Sequence, residues 1–466
     1  MVGLKPGPML LTTPIAQMRQ AVSAAETRPL AWRLQQLEQL EQTIGARREA
    51  VLEALASDLG KPPVEAYFEL VAVQQELQLV RKKLRRWMAP RKVPVPASLL
   101  PGQAEVVREP LGCVLVIGPW NYPFSLTIQP LVSALAAGNT VVLKPSEHAP
   151  ATSALIAELI AAAFPPSTVQ VVQGDGAVAQ ALLQERFDHI FFTGGERVGR
   201  LVMAAAAQQL TPVTLELGGK SPAVVLNDAD LTVTSRRLVW GKCLNAGQTC
   251  IAPDYLLVQR GVAQPLIQKL GERIGQCFGP DPLASPDLAS IVNAAQFARL
   301  QQLLQGAQQR GQVLFGGQCD AASRRLAPTL IRVDTFEDPL MAEELFGPLL
   351  PVLEVDDLAQ AMAWINGRPK PLALYLFSTS GDAQRQLLEG TSSGGVCIND
   401  VVMQVSVPEL PFGGVGNSGM GAYHGEAGFL TFSHRRSVLR RPFQLDVPLR
   451  YPPYGQRLPL IRQLLR

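Results

Sequence analysis

The sequence is short of histidine, of excess charge and of long apolar runs, and each shortage removes a class of function. Four histidines in 466 residues, with no close Cys/His cluster, leave no zinc-type ligand set, so no metal is expected. Basic and acidic side chains number 42 and 39, a formal net charge of +3. That balance lacks the strongly basic face that nucleic acid demands, and no nucleic-acid partner is expected. No stretch approaches the roughly 18–20 uncharged apolar residues of a membrane span. The opening residues, Met1 to Pro14, lack the apolar centre of a secretory signal. The six cysteines, at 113, 243, 250, 277, 319 and 397, are widely spaced, which reads as reduced thiols in a cytoplasmic protein. Internal repeats and low-complexity segments are also missing. What remains is an ordinary globular balance, 47% hydrophobic and 17% charged, with length for two or three domains.

From Ile15 to Trp87, Leu30, Trp32, Leu34, Leu37 and Leu40 recur among charged and Gln positions at helical spacing, which predicts two or three long helices. Pro90, Pro94 and Pro96 follow, a pattern suited to an exposed edge strand or arm. From Gly112 the pattern becomes short apolar runs alternating with helices. The expected strands are 113–117, 140–143, 169–172, 189–192 and 213–215. Fully apolar strands in this alternation predict a parallel sheet covered on both faces and doubly wound. Such a sheet binds ligands beyond the carboxyl ends of its strands. The unusual loops fall there: Pro119–Pro123, Lys144–Glu147 and Thr193–Gly195. A second α/β segment is expected with strands at 222–226, 255–258, 352–355, 373–377 and 395–398, and a glycine-rich loop spans Phe412–Gly419.

Three residues carry candidate chemistry. Cys250 ends Asn245-Ala246-Gly247-Gln248-Thr249-Cys250, a loop between a helix and a strand that can expose a nucleophilic sulfur. The alternative is an inert buried thiol, the reading given to Cys243. Glu216 closes an apolar strand before Gly218-Gly219 and fits a general base acting on the thiol or on water; the alternative is a salt bridge with Lys220. Asn121, bracketed by prolines, carries an amide able to stabilise an oxyanion, or simply forms a turn. No Gly-x-Gly-x-x-Gly turn follows the first strand. Gly194-Gly195-Glu196-Arg197-Val198-Gly199 instead occupies a later strand-to-helix turn, where free N–H groups and the helix dipole suit a pyrophosphate. Lys144 and Glu147 are placed to grip the hydroxyls of an adenine ribose.

With these residues in place, the chain resembles the aldehyde dehydrogenase superfamily over nearly its full length. Five blocks carry the resemblance: Pro119-Trp120-Asn121-Tyr122-Pro123, Phe192–Gly195, Leu215–Pro222, Gly247–Cys250 and Glu343–Pro348. Ala252–Tyr255, Pro411–Gly425 and Arg450–Tyr454 are similar to the class 3, fatty-aldehyde branch. One departure is Glu426, where many relatives of that branch carry Lys after the His-Gly pair; an effect on substrate entry or surface charge is expected.

The resemblance implies an α/β fold: a doubly wound Rossmann-like cofactor domain (1–88 and 110–217), an α/β catalytic domain (218–431), a small β oligomerisation arm (89–109 and 432–446) and a tail (447–466). It implies oxidation of medium- or long-chain aliphatic, aromatic or isoprenoid-derived aldehydes to acids. Cys250 attacks, Asn121 and the Cys250 N–H hold the oxyanion, and Glu216 activates water. Trp120, Lys144, Glu147, Gly194, Gly195 and Val198 line the cofactor path. Glu344 binds the nicotinamide ribose and Phe346 supports the nicotinamide end. Tyr122, Ile398 and Phe412 are the expected substrate-pocket residues. The implied cofactor is NAD, favoured over NADP by the Glu147 carboxylate, although the branch often accepts both. A homodimer is implied. The tail 457–466 either packs on the body or, helped by the basic Arg81–Lys92 cluster, makes a peripheral membrane contact. Acyl transfer to coenzyme A is the rival chemistry, opposed by a water-activating Glu216. A non-catalytic protein retaining the fold is the rival of another class.

Overall fold

A computed structural model describes residues 11–444, 446 and 448–464. The opening residues 1–10, on which the absence of a signal was partly read, and the last two residues of the tail lie outside it. Four helices open the described chain: Ile15–Ser23, Leu30–Ala46, Arg48–Leu59 and Pro63–Met88. The sequence predicts two or three. Arg47 (φ −122°, ψ 27°) splits what reads as one amphipathic run, and left-handed Gly60 closes the helix that follows. Leu37, Leu40, Leu55, Leu70, Leu77 and Leu84 point inward together and pack with Val114, Val116 and Val141 of the neighbouring sheet. Each fully buried aliphatic side chain contributes roughly 1.5–3 kcal/mol.

That sheet has six strands in the order Gly419–Met420, Val213–Glu216, His189–Thr193, Cys113–Ile117, Thr140–Lys144, Val169–Val171. Five run parallel, within two residues of the bounds read from their apolar runs. The chain builds outward from Cys113–Ile117 in one direction, then returns to its other side at His189–Thr193. Between these two strands the order reverses, which opens a crevice at their carboxyl ends. The sixth strand was not foreseen. Gly419–Met420 arrives antiparallel from the late glycine-rich loop, pairing Gly419 with Glu216, so the far end of the chain locks the strand that carries the candidate base.

A second sheet of seven strands runs Val313–Phe315, Thr329–Arg332, Leu349–Val355, Tyr255–Gln259, Pro222–Val225, Ala373–Phe377, Gly395–Ile398, parallel except at its first pair. Its middle strands are buried along their length, which is why they read as unbroken apolar runs. A third sheet is a ribbon. Arg91–Val93 pairs with Gln103–Pro110, which pairs over eight residues with Ser433–Arg440. The prolines around Arg91–Val93 fit its place on the ribbon's edge. Glu426, the departure noted above, pairs with Arg108 of this ribbon at 3.5 Å. The tail contains a short helix, Leu458–Leu464. Among the described residues no helix is long and apolar enough to cross a membrane.

Candidate active site

The crevice of the six-stranded sheet opens into a cavity of about 1410 Å³, and residues of the seven-stranded sheet's loops form its opposite wall. Thirteen of the candidate residues line it: Asn121, Glu216 and Cys250; Trp120, Lys144, Glu147, Gly194, Gly195, Val198, Glu344 and Phe346; and Tyr122 and Phe412. Ile398 does not. It ends the edge strand of the seven-stranded sheet and packs against that sheet's core cluster instead.

Cys250 is reached through an unusual turn. The helix Leu231–Cys243 is capped by Asp230, whose carboxylate accepts the N–H groups of Thr232 and Val233. After it, Asn245, Ala246 and Gly247 adopt left-handed backbone in succession, with φ of 53°, 51° and 76°. Two of the three are not glycine, so surrounding bonds must hold them. Asn245 Nδ2 donates to the carbonyls of Asn121 (2.8 Å) and Gln248 (3.2 Å). Gln248 Nε2 donates to Asn245 O and Ser290 O, each at 3.0 Å, and its Oε1 accepts the Val292 N–H at 2.9 Å. At Gly247 a Cβ would sit 2.3 Å from the Gly347 carbonyl oxygen. Cys250 emerges half-buried at the cavity wall, while Cys243 is a core residue.

The Asn121 amide donates to Gln248 O at 3.1 Å, two residues from the sulfur. Its NH2 group has a second proton to offer. The Tyr122 hydroxyl shares a 2.7 Å bond with Thr249 Oγ1, and Lys61 Nζ lies 3.9 Å from the Tyr122 ring centroid. Glu216 is 3% exposed, and neither carboxylate oxygen has a hydrogen-bond partner. The alternative salt bridge with Lys220 is not made. Lys220 pairs with Asp254 and donates to Leu340 O and Glu343 O. Burial drives the Glu216 pKa well above the usual carboxylate range. The Cys250 thiol is also pushed up, first by burial, then by the carboxylates of Glu344 and Glu216. A thiol so held needs a proton acceptor close by, and an uncommitted buried carboxylate is one.

The cofactor end is built from backbone. Gly194 and Gly195 turn from the strand His189–Thr193 into the helix Glu196–Ala207, and no side chain caps that helix. The Val198 and Gly199 N–H groups donate to Gly195 O, which leaves the N–H groups of Glu196 and Arg197, among the described residues, available to an anion. A Cβ at Gly195 would meet nothing within 4 Å. Lys144, at the end of Thr140–Lys144 two strands away, pairs with Glu147 at 2.9 Å. The Trp120 and Phe346 rings meet edge to face, 5.3 Å between centroids. A free helix N-terminus beside a lysine–carboxylate pair suits a dinucleotide, so these residues fit one.

Several residues of the site carried no legible signal. Glu65, Glu69 and Glu76 look like solvated helix charges but are turned inward. Arg299 holds the Leu345 carbonyl at 2.5 Å, and Asp254 accepts the Leu345 N–H at 2.9 Å, together fixing the Glu344–Phe346 segment. Lys242 is buried with no partner for its amine, and burial lowers its pKa to about 8. A lone lysine or arginine on a helix reads as a surface residue, and only the fold reveals otherwise.

The aldehyde dehydrogenase family matches residues 11–438. A Rattus norvegicus protein named as a dimeric, NADP-preferring aldehyde dehydrogenase is 46% identical over 449 residues, covering 96% of this chain and 98% of that protein. An Arabidopsis thaliana protein, aldehyde dehydrogenase family 3 member H1, is 42% identical over 454 residues, 97% of this chain and 94% of its own. A solved structure of Staphylococcus aureus AldH in a substrate-bound state superposes with a TM-score of 0.94 at 40% identity, covering 97% of this chain and 98% of the other.

Proposed function

The chain belongs to the aldehyde dehydrogenase family, among its family 3 members, and on that premise we propose how its own residues carry out the NAD(P)+-dependent oxidation of an aldehyde to a carboxylic acid. Cys250 Sγ adds to the carbonyl carbon, and the thiol proton passes to Glu216. The second proton of the Asn121 amide and the Cys250 N–H receive the developing oxyanion; a donor so placed is worth about 3 kcal/mol of barrier. The bound cofactor supplies the acceptor for the hydrogen and electron pair that leave the carbon, so the product on sulfur is a thioester. Glu216 gives up that proton to solvent and then takes one from water; the hydroxide oxygen adds to the thioester carbon, and the C–S bond breaks to release the acid while the sulfur recovers the proton held by Glu216.

Gly194, Gly195 and Val198 would hold the pyrophosphate end, Lys144 and Glu147 the adenine ribose, and Trp120, Glu344 and Phe346 the nicotinamide end. Glu147 favours NAD by repelling a 2′-phosphate; NADP remains within reach because Lys144 stands beside it. The six-stranded sheet with the N-terminal helices is the cofactor domain, the seven-stranded sheet the catalytic domain, and the ribbon the oligomerisation arm. A homodimer built on that arm is supported by the exposed Leu100 and Leu439 and by the dimeric rat relative. Phe68, Trp240, Met403, Val405 and Phe412 give the cavity an apolar lining, which supports medium- or long-chain or aromatic aldehydes. Six free cysteines support a cytoplasmic location. The exposed Leu458 and Leu460 support a peripheral membrane contact by the tail.

The observation that carries the chemistry is Glu216: a carboxyl group buried without a hydrogen-bond partner among the described residues, lining the same cavity as Cys250. Protein quenched during turnover should carry an acyl group on Cys250, and Cys250→Ser should form neither adduct nor NADH. Acid accumulating without the adduct would overturn the mechanism. A thioester product in the presence of coenzyme A would transfer the deacylation from water to a thiol acceptor.

A further inference from the structure

The helix Pro63–Met88 lies outside the sheets and contributes three carboxyl groups to backbone amides of loops that border the cavity. Glu65, Glu69 and Glu76, four and then seven residues apart, lie on one helix face. Glu65 Oε2 accepts the Asn245 N–H at 2.8 Å. Glu69 Oε2 accepts the N–H groups of Phe124 (3.1 Å) and Ser125 (2.9 Å), while its other oxygen binds Lys61 at 2.5 Å. Glu76 Oε1 accepts the Gly425 N–H at 2.9 Å, next to cavity-lining His424. Three loops that reach the cavity holding the thiol therefore rest on a single helix.

We propose that Glu65 is a positioning residue for the nucleophile and the oxyanion donors, acting through Asn245. The proposal rests on the roles given above to Cys250 and Asn121. Its physical basis is the left-handed turn. Asn245 and Ala246 hold left-handed backbone that is costly for an L-residue, and the Asn245 N–H emerges just past the end of the helix Leu231–Cys243, where no helical carbonyl takes it. The Glu65 carboxyl oxygen satisfies that buried amide, which would otherwise be left without an acceptor. With its backbone fixed, Asn245 directs its side-chain amide to Asn121 O and Gln248 O, and the Asn121 amide donates to the same Gln248 O. A short chain of bonds thus runs from Glu65 to both the segment carrying Cys250 and the amide that meets the oxyanion. No member of that chain belongs to the cofactor-holding residues.

This separation sets the test. Glu65→Ala, Glu65→Gln and Cys250→Ser are compared with wild type for circular dichroism, kcat, the KM for NAD+ and the amplitude and rate of the NADH burst. Glu65→Ala should lower kcat and the burst rate tenfold or more, with the KM for NAD+ within twofold of wild type. Glu65→Gln, whose amide oxygen still accepts the N–H, should recover to within threefold of wild type. Wild-type kcat in folded Glu65→Ala overturns the proposal, as does a Gln variant no better than Ala. Should the Ala variant fail to fold, Glu65→Asp replaces it. Drawing the carboxylate back by one methylene should cost at least threefold in kcat with the cofactor KM unchanged, and wild-type kcat there overturns the proposal. Turnover by Cys250→Ser would sink the underlying chemistry. Full turnover in Glu65→Ala with a dead Cys250→Ser sinks the positioning role alone.

Discussion

The two ends of the cavity are built on opposite principles. At the cofactor end, the Gly194-Gly195 turn enters an uncapped helix, Gly195 has ordinary backbone (φ −77°), and a Cβ there would meet open space. Its affinity for an anion comes from peptide groups that any helix start presents. At the sulfur end, three consecutive left-handed residues are fixed by distant groups: the Glu65 carboxyl, the Asn121 backbone carbonyl, and Ser290 and Val292, which hold the Gln248 side chain. One end uses what the backbone offers at no cost. The other stores strain and surrounds it with buried hydrogen bonds, because a nucleophile and its oxyanion donors must be placed more accurately than a diphosphate must be held.

A pair of alanine substitutions tests that contrast most severely. Gly247→Ala places a Cβ 2.3 Å from the Gly347 oxygen on a φ of +76°. It should abolish more than 99% of turnover and cost about 2–4 kcal/mol of stability. Gly195→Ala should leave kcat within about fivefold and raise the KM for NAD+ severalfold, as expected where a Cβ meets only ligand. Steady-state kinetics and thermal melts of both variants read the difference directly; equal losses at the two glycines would erase the distinction. Next in size is Asn121→Ala, which should lower kcat roughly 10²–10³-fold with little change in the cofactor KM. A purely turn-forming Asn121 would instead show in the melting temperature. At the cofactor end, Glu147→Gln removes the carboxylate that Lys144 binds. The ratio of kcat/KM for NADP+ over NAD+ should rise about tenfold, one elementary charge's repulsion at a half-exposed site. An unchanged ratio would move the cofactor choice to other residues.

The same contrast explains what could be read from the sequence. The cofactor end was legible because strands such as Cys113–Ile117 and Thr140–Lys144 are apolar throughout, and the turn Gly194-Gly195 follows one directly. The nucleophile loop was legible as a composition, Asn245 to Cys250, but not as a conformation, since nothing in Asn245-Ala246 announces left-handed backbone. Glu65, Glu69 and Glu76 were illegible for a plainer reason. A glutamate on an amphipathic helix next to valine and leucine is ordinarily solvated, and only the loops that fold back from residues 124, 245 and 425 supply the amides that draw these three inward. Ile398 differs for the converse reason: the end of an apolar strand resembles a pocket wall until the strand order shows it to be a half-buried sheet edge. The short strand Gly419–Met420 begins inside the glycine-rich loop Phe412–Gly419, and two residues carry no period by which a strand could be read.

Four buried titratable groups give a smaller effect that again divides the molecule. Burial lowers His189 and His424 to pKa values of about 4, and raises Glu65 and Glu76 to about 7. The signs oppose. Below pH 6.5 the unfolded histidines take protons that the folded ones refuse until about pH 4, so stability falls as pH drops through that window. Between pH 4.5 and 7 the folded glutamates keep protons that the unfolded ones have released, so stability falls as pH rises. Over pH 4.5–6.5 the two pairs offset one another, and removing one glutamate should expose the imbalance. Glu76→Gln retains an acceptor for the Gly425 N–H but no longer has to bury a charge. Its stability relative to wild type should improve by about 1–3 kcal/mol between pH 5 and pH 8, the free energy of one to two pKa units. Melting temperatures of both proteins at the two pH values, compared as a difference of differences, cancel every other titrating group. A relative stability that stays level, or moves against the variant as pH rises, would mean that Glu76 is ionised in the fold at neutral pH and that its bond to Gly425 outweighs the cost of burial.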